Sequence, residues 1–194
     1  MPGKLYWGTP IWTFEVNNKD GIDQLVDASY KHRELDDSDN KSNAGNSWHS
    51  KSNFLGNPQK LLIAKEVMDI FQVSANDYGY KLVGATKLAY WTIITSKYGY
   101  NKRHNHGGSL LSAVLYLRTP EKSGRIIFTD PRPARVMETP IGRTDASNPK
   151  SNIAFDPKVG LFLVFPSYLE HEVEMTLSDD DRIICSFNLT PTPN

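Results

Sequence analysis

After Lys87 the chain becomes a succession of short β-rich segments, and this constrains its fold more than any other feature. Leu88 to Ser96, Leu110 to Leu117, Arg125 to Thr129, Ile153 to Phe155, Gly160 to Phe165, Glu172 to Thr176 and Arg182 to Leu189 are rich in β-branched and aromatic residues, with turn formers between them. Helical patterns precede them. From about Gly21 to Leu35, Ile22, Leu25, Val26 and Ala28 fall on one side, with Asp20 placed as the cap. Asn57-Pro58 reads as a second helix start, and Leu61, Ala64, Met68, Phe71, Ala75 and Tyr78 then recur at steps of three and four. Helices first and strands after them predict a segregated α+β fold, a double-stranded β-helix (jelly roll, cupin-like) with the N-terminal helices packed on one sheet.

The remaining segments fit around that core. Lys4 to Val16 reads as one or two short strands, with Pro10 at an edge or bend. Asp36 to Asn53 is expected to be a polar loop, and Pro131 to Lys150 a long loop over one mouth of the barrel. At 194 residues the chain suits one domain, 1–194, with a helix and strand support region over 1–85 and a jelly-roll core over 86–190. Lys plus Arg and Asp plus Glu number 22 each, so no basic excess points to nucleic acid or an anionic membrane surface. No apolar run approaches the roughly 20 residues that span a bilayer, and the N-terminus lacks a signal-peptide pattern. Cys185, the single cysteine, sits in an apolar strand and is expected to be buried and inert. A reducing, cytoplasmic compartment is the expectation.

His104-Asn105-His106 carries the chemistry. Residues i and i+2 of an extended strand point to one face, so both imidazoles are expected to converge. Neutral imidazole is a common ligand for mid-row transition metals. His171 lies far downstream in another strand-like stretch, whereas His32 and His49 look scattered. Two ligands on one strand and a third on another suggest a metal site inside a β-sandwich or barrel. Arg182 opens the last strand eleven residues after His171. There its planar fork suits a carboxylate, the competing reading being a surface pair with Asp179, Asp180 or Asp181. Tyr116, an even step from His106, can share that carboxylate.

In order along the chain come His-x-His, the strand ending Val114-Leu115-Tyr116-Leu117, Ser123-Gly124-Arg125-Ile126-Ile127-Phe128, Gly160-Leu161-Phe162-Leu163-Val164-Phe165-Pro166, His171 and Arg182. This order resembles the jelly-roll core of the 2-oxoglutarate- and Fe(II)-dependent oxygenases. Trp48-His49-Ser50, Ser109 to Ser112, Asp130-Pro131-Arg132, Phe165-Pro166-Ser167 and Phe187-Asn188 are similar to a branch known mostly from marine bacteria and their phages. The resemblance implies His104 and His171 as iron ligands, Arg182 on the C5 carboxylate of 2-oxoglutarate and Tyr116 as a second contact to it. His106 departs from the pattern, because most of the superfamily has Asp or Glu there. It is taken as a third ligand. The alternatives are that it stands behind a water ligand, or that Asp130 supplies a carboxylate.

The implied activity couples decarboxylation of 2-oxoglutarate to succinate with oxidation of a primary substrate by dioxygen, as a hydroxylase would. Fe(II) is the implied metal and 2-oxoglutarate the co-substrate, and a small molecule or peptide is expected as substrate. Arg132, Tyr100, Trp91 and Asn188 are the candidate substrate contacts, with Tyr98 and Asn105 near them. Two other classes compete. A cupin-type metalloenzyme needs no keto acid, but Leu110 and Leu111 stand where its glutamate is usual. A non-enzymatic jelly-roll module would favour a closed zinc site, which ordinarily takes four ligands including cysteines.

Overall fold

Strands from every part of the chain join one curled antiparallel sheet. The structure is a computed structural model and describes residues 8–36, 44–82, 86–132 and 152–191. The elements are β1 (Trp12–Glu15), α1 (Lys19–Leu35), β2 (Ala44–His49), a 3-10 turn (Pro58–Lys60), α2 (Ala64–Asp77), β3 (Thr86–His104), β4 (Leu111–Arg118), β5 (Ile126–Thr129), β6 (Asn152–Phe155), β7 (Leu161–Pro166), β8 (His171–Val173) and β9 (Arg182–Pro191). The strand order is β1-β7-β4-β9-β3-β8-β5-β6, with β2 also paired to β3. Together the strands form a curled half-barrel of the jelly-roll type, backed by the two helices.

Period-two alternation decides which side chains face which layer. On β9, Ile183, Cys185, Phe187 and Leu189 join the core beneath the helices, while Ile184 packs in the barrel interior. Ala113 and Leu115 on β4 face the helices, and Val114 and Tyr116 face the interior. Cys185 is buried, and burial pushes its thiol up. Phe71 of α2 meets Phe162 of β7 edge to face at 6.1 Å, which seats that helix on the sheet.

Three local expectations are corrected. Asn18, not Asp20, caps α1, because its side chain accepts the Gly21 N–H at 2.9 Å. The Asn57-Pro58 signal starts only a 3-10 turn, and α2 begins at Ala64. The stretch expected to be a loop from Asp36 to Asn53 contains β2, whose polar sequence concealed a strand that pairs with β3. The predicted loop from Pro131 to Lys150 falls, beyond Arg132, outside the described residues. So do Lys4 to Trp7 of the first predicted strand. Among the described residues no helix is long and apolar enough to cross a membrane.

β3 is the element that bends the sheet into a barrel. Its first half pairs with β9 and its last residues pair with β8. Between them Tyr98 takes a φ of 66°, and register shifts occur against both β2 and β8. Extra residues in one strand of a pair kink it and increase its twist. Gly124 closes the other side of this bend. A Cβ there would lie 1.9 Å from the Glu174 carbonyl oxygen, which is backbone and has little room to yield. Gly124→Ala is therefore expected to cost about 2 kcal/mol, seen as a thermal midpoint about 4–8 °C lower. An unchanged midpoint would mean that the segment after β8 moves aside freely.

Candidate metal centre

The bend in β3 brings His104 into register with His171 of β8. Directly opposed residues of an antiparallel pair share a face, and these two rings have centroids 4.4 Å apart. His106 lies two residues past the end of β3, where its backbone N–H donates to the Ser167 carbonyl at 2.8 Å. Its ring centroid is 5.3 Å from that of His104 and 5.1 Å from that of His171. The two imidazoles of the motif do converge, but not from one strand. The cross-strand pair is His104 with His171, and the segment beyond the end of β3 delivers His106.

One nitrogen from each ring lies within 4.8 Å of the others. That spacing suits three imidazoles that could hold one ion. His104 Nδ1 lies 2.7 Å from the Lys102 carbonyl oxygen, and His171 Nδ1 lies 3.0 Å from that of Leu169. A carbonyl only accepts, so both Nδ1 atoms carry hydrogen and both Nε2 lone pairs are left for a ligand. His106 Nδ1 faces a side chain instead, Asn188 Oδ1 at 2.8 Å. Burial, helped by the neighbouring His104, holds His171 down to about 3, and burial also lowers His106. These groups stay neutral at physiological pH, the form that binds metal.

The three rings open into a cavity of about 370 Å³ that Arg182 and Tyr116 also line. Arg182 is 1% exposed. Nη1 donates to the Gly124 carbonyl at 3.0 Å and Nη2 to Thr95 Oγ1 at 3.1 Å, while the buried Nε–H has no partner among the described residues. The acidic run beside it points elsewhere: Asp179 pairs with Lys97, Asp180 with Arg118 and Asp181 with Arg33. A buried cation with no carboxylate partner among the described residues is costly unless a ligand supplies one. Tyr116 is fully inside, and burial pushes its hydroxyl up to about 12, with Arg182 opposing the shift. It is a neutral donor at any physiological pH. Its place on the cavity comes from β4, a separate strand from that of His104, so counting residues from His106 has no bearing on it.

The other candidates divide. Trp91 lines the cavity and stacks on His106, with centroids 5.7 Å apart and planes 25° from parallel. Asn105 and Asn188 also line it. Tyr100 lies on a shallow outer groove, and Tyr98 is exposed beneath Lys97. Arg132 is absent from the lining because its side chain grips Asp130 through two bonds of 2.9 and 2.6 Å. That grip engages both Asp130 oxygens, and the metal-like cluster among the described residues consists of the three histidines without it. His49 went unrecognised as a cavity residue. It lines the cavity from β2 with a buried Nε2 that has no hydrogen-bond partner among the described residues, and burial, then His104, lowers it to about 4. Its one sequence signal is the Trp48-His49-Ser50 motif.

A family model described as "Putative 2OG-Fe(II) oxygenase" matches residues 89–188. No curated protein matches the chain. Among solved structures, a Pseudomonas putida prolyl-4-hydroxylase is similar at a TM-score of 0.65 and 14% identity, over 95% of this chain and 94% of that chain. HygX from Streptomyces hygroscopicus, with nickel, 2-oxoglutarate and hygromycin B bound, is similar at a TM-score of 0.61 and 14% identity, over 95% and 84%. The epimerase SnoN from nogalamycin biosynthesis gives 0.63 and 12% identity, over 94% and 78%. At such identities the structures establish a shared fold.

The buried imidazoles set a pH dependence for the metal-free protein. His49 and His171 are depressed to about 4 and about 3, so the folded state refuses protons that the unfolded chain accepts below about 6.5. Stability is complete above that value and declines as pH falls through the window. The urea midpoint at about pH 5, still above the carboxylate range, should lie below that at about pH 7.5. Equal midpoints would show that these rings take up protons without disturbing the fold.

Proposed function

We propose that this chain, which belongs to the 2OG-Fe(II) oxygenase family, holds its metal on His104, His106 and His171 and hydroxylates a primary substrate in the cavity beside them. Membership makes it an oxidoreductase that uses Fe(II) and 2-oxoglutarate, which excludes the keto-acid-free and non-enzymatic readings. One observation carries the assignment of residues. Three histidines and a buried arginine that has no carboxylate partner among the described residues line one cavity.

The residues present fit the implied groups. His104, His106 and His171, with ligand atoms within 4.8 Å of one another, would hold the metal through three imidazoles. Bound there, Fe(II) and 2-oxoglutarate supply the oxidising chemistry: dioxygen is consumed, the keto acid yields succinate and carbon dioxide, and one oxygen atom reaches the substrate. Arg182 receives the far carboxylate. Gly124 and Thr95 hold its two terminal nitrogens, so the guanidinium meets its ligand already oriented. Tyr116, protonated throughout, donates a second hydrogen bond to that carboxylate. Trp91 forms the wall beside His106 and is the proposed aromatic contact for substrate, with Asn105 near it. Ile93, Val114, Phe165 and Ile184 line the cavity with apolar surface and exclude water.

A volume of about 370 Å³ lies near the small end of ligand pockets. The co-substrate takes part of it, so the reading is a substrate that inserts only its reacting portion, a peptide side chain or the protruding end of a small molecule. Tyr100 and Arg132 stand outside the lining and have no part in this reading.

Anaerobic protein with Fe(II) and 2-oxoglutarate should develop a metal-to-ligand absorption band, and admission of air should yield succinate. Arg182→Gln should weaken 2-oxoglutarate binding by about 30-fold or more, since it removes one partner of a buried charge pair. Fe(II) binding should persist. An Arg182→Gln protein that binds 2-oxoglutarate as the unaltered protein does would remove Arg182 from the site.

A further inference from the structure

The Phe165-Pro166-Ser167 run ends in a turn that reaches two of the three histidines. The Ser167 carbonyl accepts the His106 backbone N–H at 2.8 Å, and the Leu169 carbonyl faces His171 Nδ1 at 3.0 Å. The Ser167 hydroxyl, 2.7 Å from Ser112 Oγ, begins a side-chain relay. The Ser112 hydroxyl donates to Asn188 Oδ1 at 2.8 Å, and the same amide oxygen lies 2.8 Å from His106 Nδ1. Ser112 and Ser167 are both buried.

From this juxtaposition we infer that Asn188 is a positioning residue. Backed by Ser112 and Ser167, it holds His106 in the Nδ1–H form and leaves Nε2 free for the metal. The inference rests on the reading of His106 as a ligand. Its logic follows from where His106 sits. His104 and His171 have backbone carbonyls to accept their Nδ1 hydrogens. His106 has left the strand, and its Nδ1 meets only a side chain. A carboxylate at this position would have no tautomer to choose, whereas an imidazole coordinates through one nitrogen with the hydrogen on the other, and an acceptor for that hydrogen favours this form.

The relay has a defined sense. Ser167 donates to Ser112, Ser112 donates to Asn188 Oδ1, and His106 Nδ1–H donates to the second lone pair of that oxygen. An amide turned the other way would instead donate to Nδ1, put the hydrogen on Nε2 and block the ligand. Asn188 thus acts on the metal through His106, a different role from the substrate contact that sequence suggested.

Nitrogen-15 NMR of the metal-free protein reads the tautomer of His106 directly, and Co(II) titration reads the consequence. The expected result is Nδ1–H on His106. Asn188→Leu should mix the tautomers and weaken Co(II) binding about 10–100-fold. Asn188→Asp, which keeps an acceptor, should restore most of that loss. A hydrogen on Nε2 in the unaltered protein overturns the inference, as does an Asn188→Leu protein with the original tautomer and Co(II) affinity. The first of these needs no variant to fold. His106→Ala separates the underlying reading: if it binds Co(II) as tightly as the unaltered protein, His106 is not a ligand, while the tautomer still judges the hold of Asn188 on the ring.

Discussion

The central strand β9 has to serve two chemically opposite layers at once, and the rest of the structure depends on how it does so. It pairs with β3 along its whole length and with β4 over most of it. Ile183, Cys185, Phe187 and Leu189 are fully buried or nearly so under the helices. Arg182, Ile184, Ser186 and Asn188 alternate with them and line the cavity. A slip of one residue would exchange the two sets. The guanidinium would then enter the hydrocarbon core, and the relay to His106 would be lost. The apolar layer therefore fixes the register of the polar one.

Charge explains why the cavity is suited to a dicarboxylate. Burial, helped by His104, holds His49 and His171 below the usual imidazole range and also lowers His106, and the Arg182 guanidinium keeps its charge with no carboxylate partner among the described residues. In the proposed site, a divalent metal on three imidazole ligands would receive no negative charge from the protein. The interior then holds an excess of positive charge in a low dielectric, where a dianion is favoured over a neutral ligand. A carboxylate in place of His106 would reduce that excess by one. In the proposed site, the histidine at position 106 and an arginine with no carboxylate partner among the described residues act in the same direction.

The sheet was legible because each strand alternates or runs apolar between turn residues, as at Leu111 to Leu117 and Leu161 to Phe165. β2 was not, because Gly45, Asn46 and Ser47 carry no strand preference, and only pairing with β3 makes a strand of them. The members of the site were legible as residue types: His104, His106, His171, Arg182 and Tyr116 all line the one cavity. Their geometry was not. Sequence placed His104 and His106 on one strand, whereas β3 ends at His104 and pairs it with a residue 67 positions away. Arg132 shows the reverse, a residue whose partner is local. Its position in a Pro-rich loop suggested a functional cation, yet an acid two residues away accounts for it.

By itself the sequence determined the layer architecture and the chemical inventory. Both follow from local rules: side-chain period, turn chemistry, and the identities of a few histidines, an arginine and a tyrosine. The tertiary structure alone decided that β2 exists, that His49 joins the cavity, that Arg182 turns from its acidic neighbours into the barrel, and that Asn188 faces His106. Each of these depends on a contact between residues far apart in the chain. Local pattern carries no information about such contacts until the curl of β3 brings the partners together.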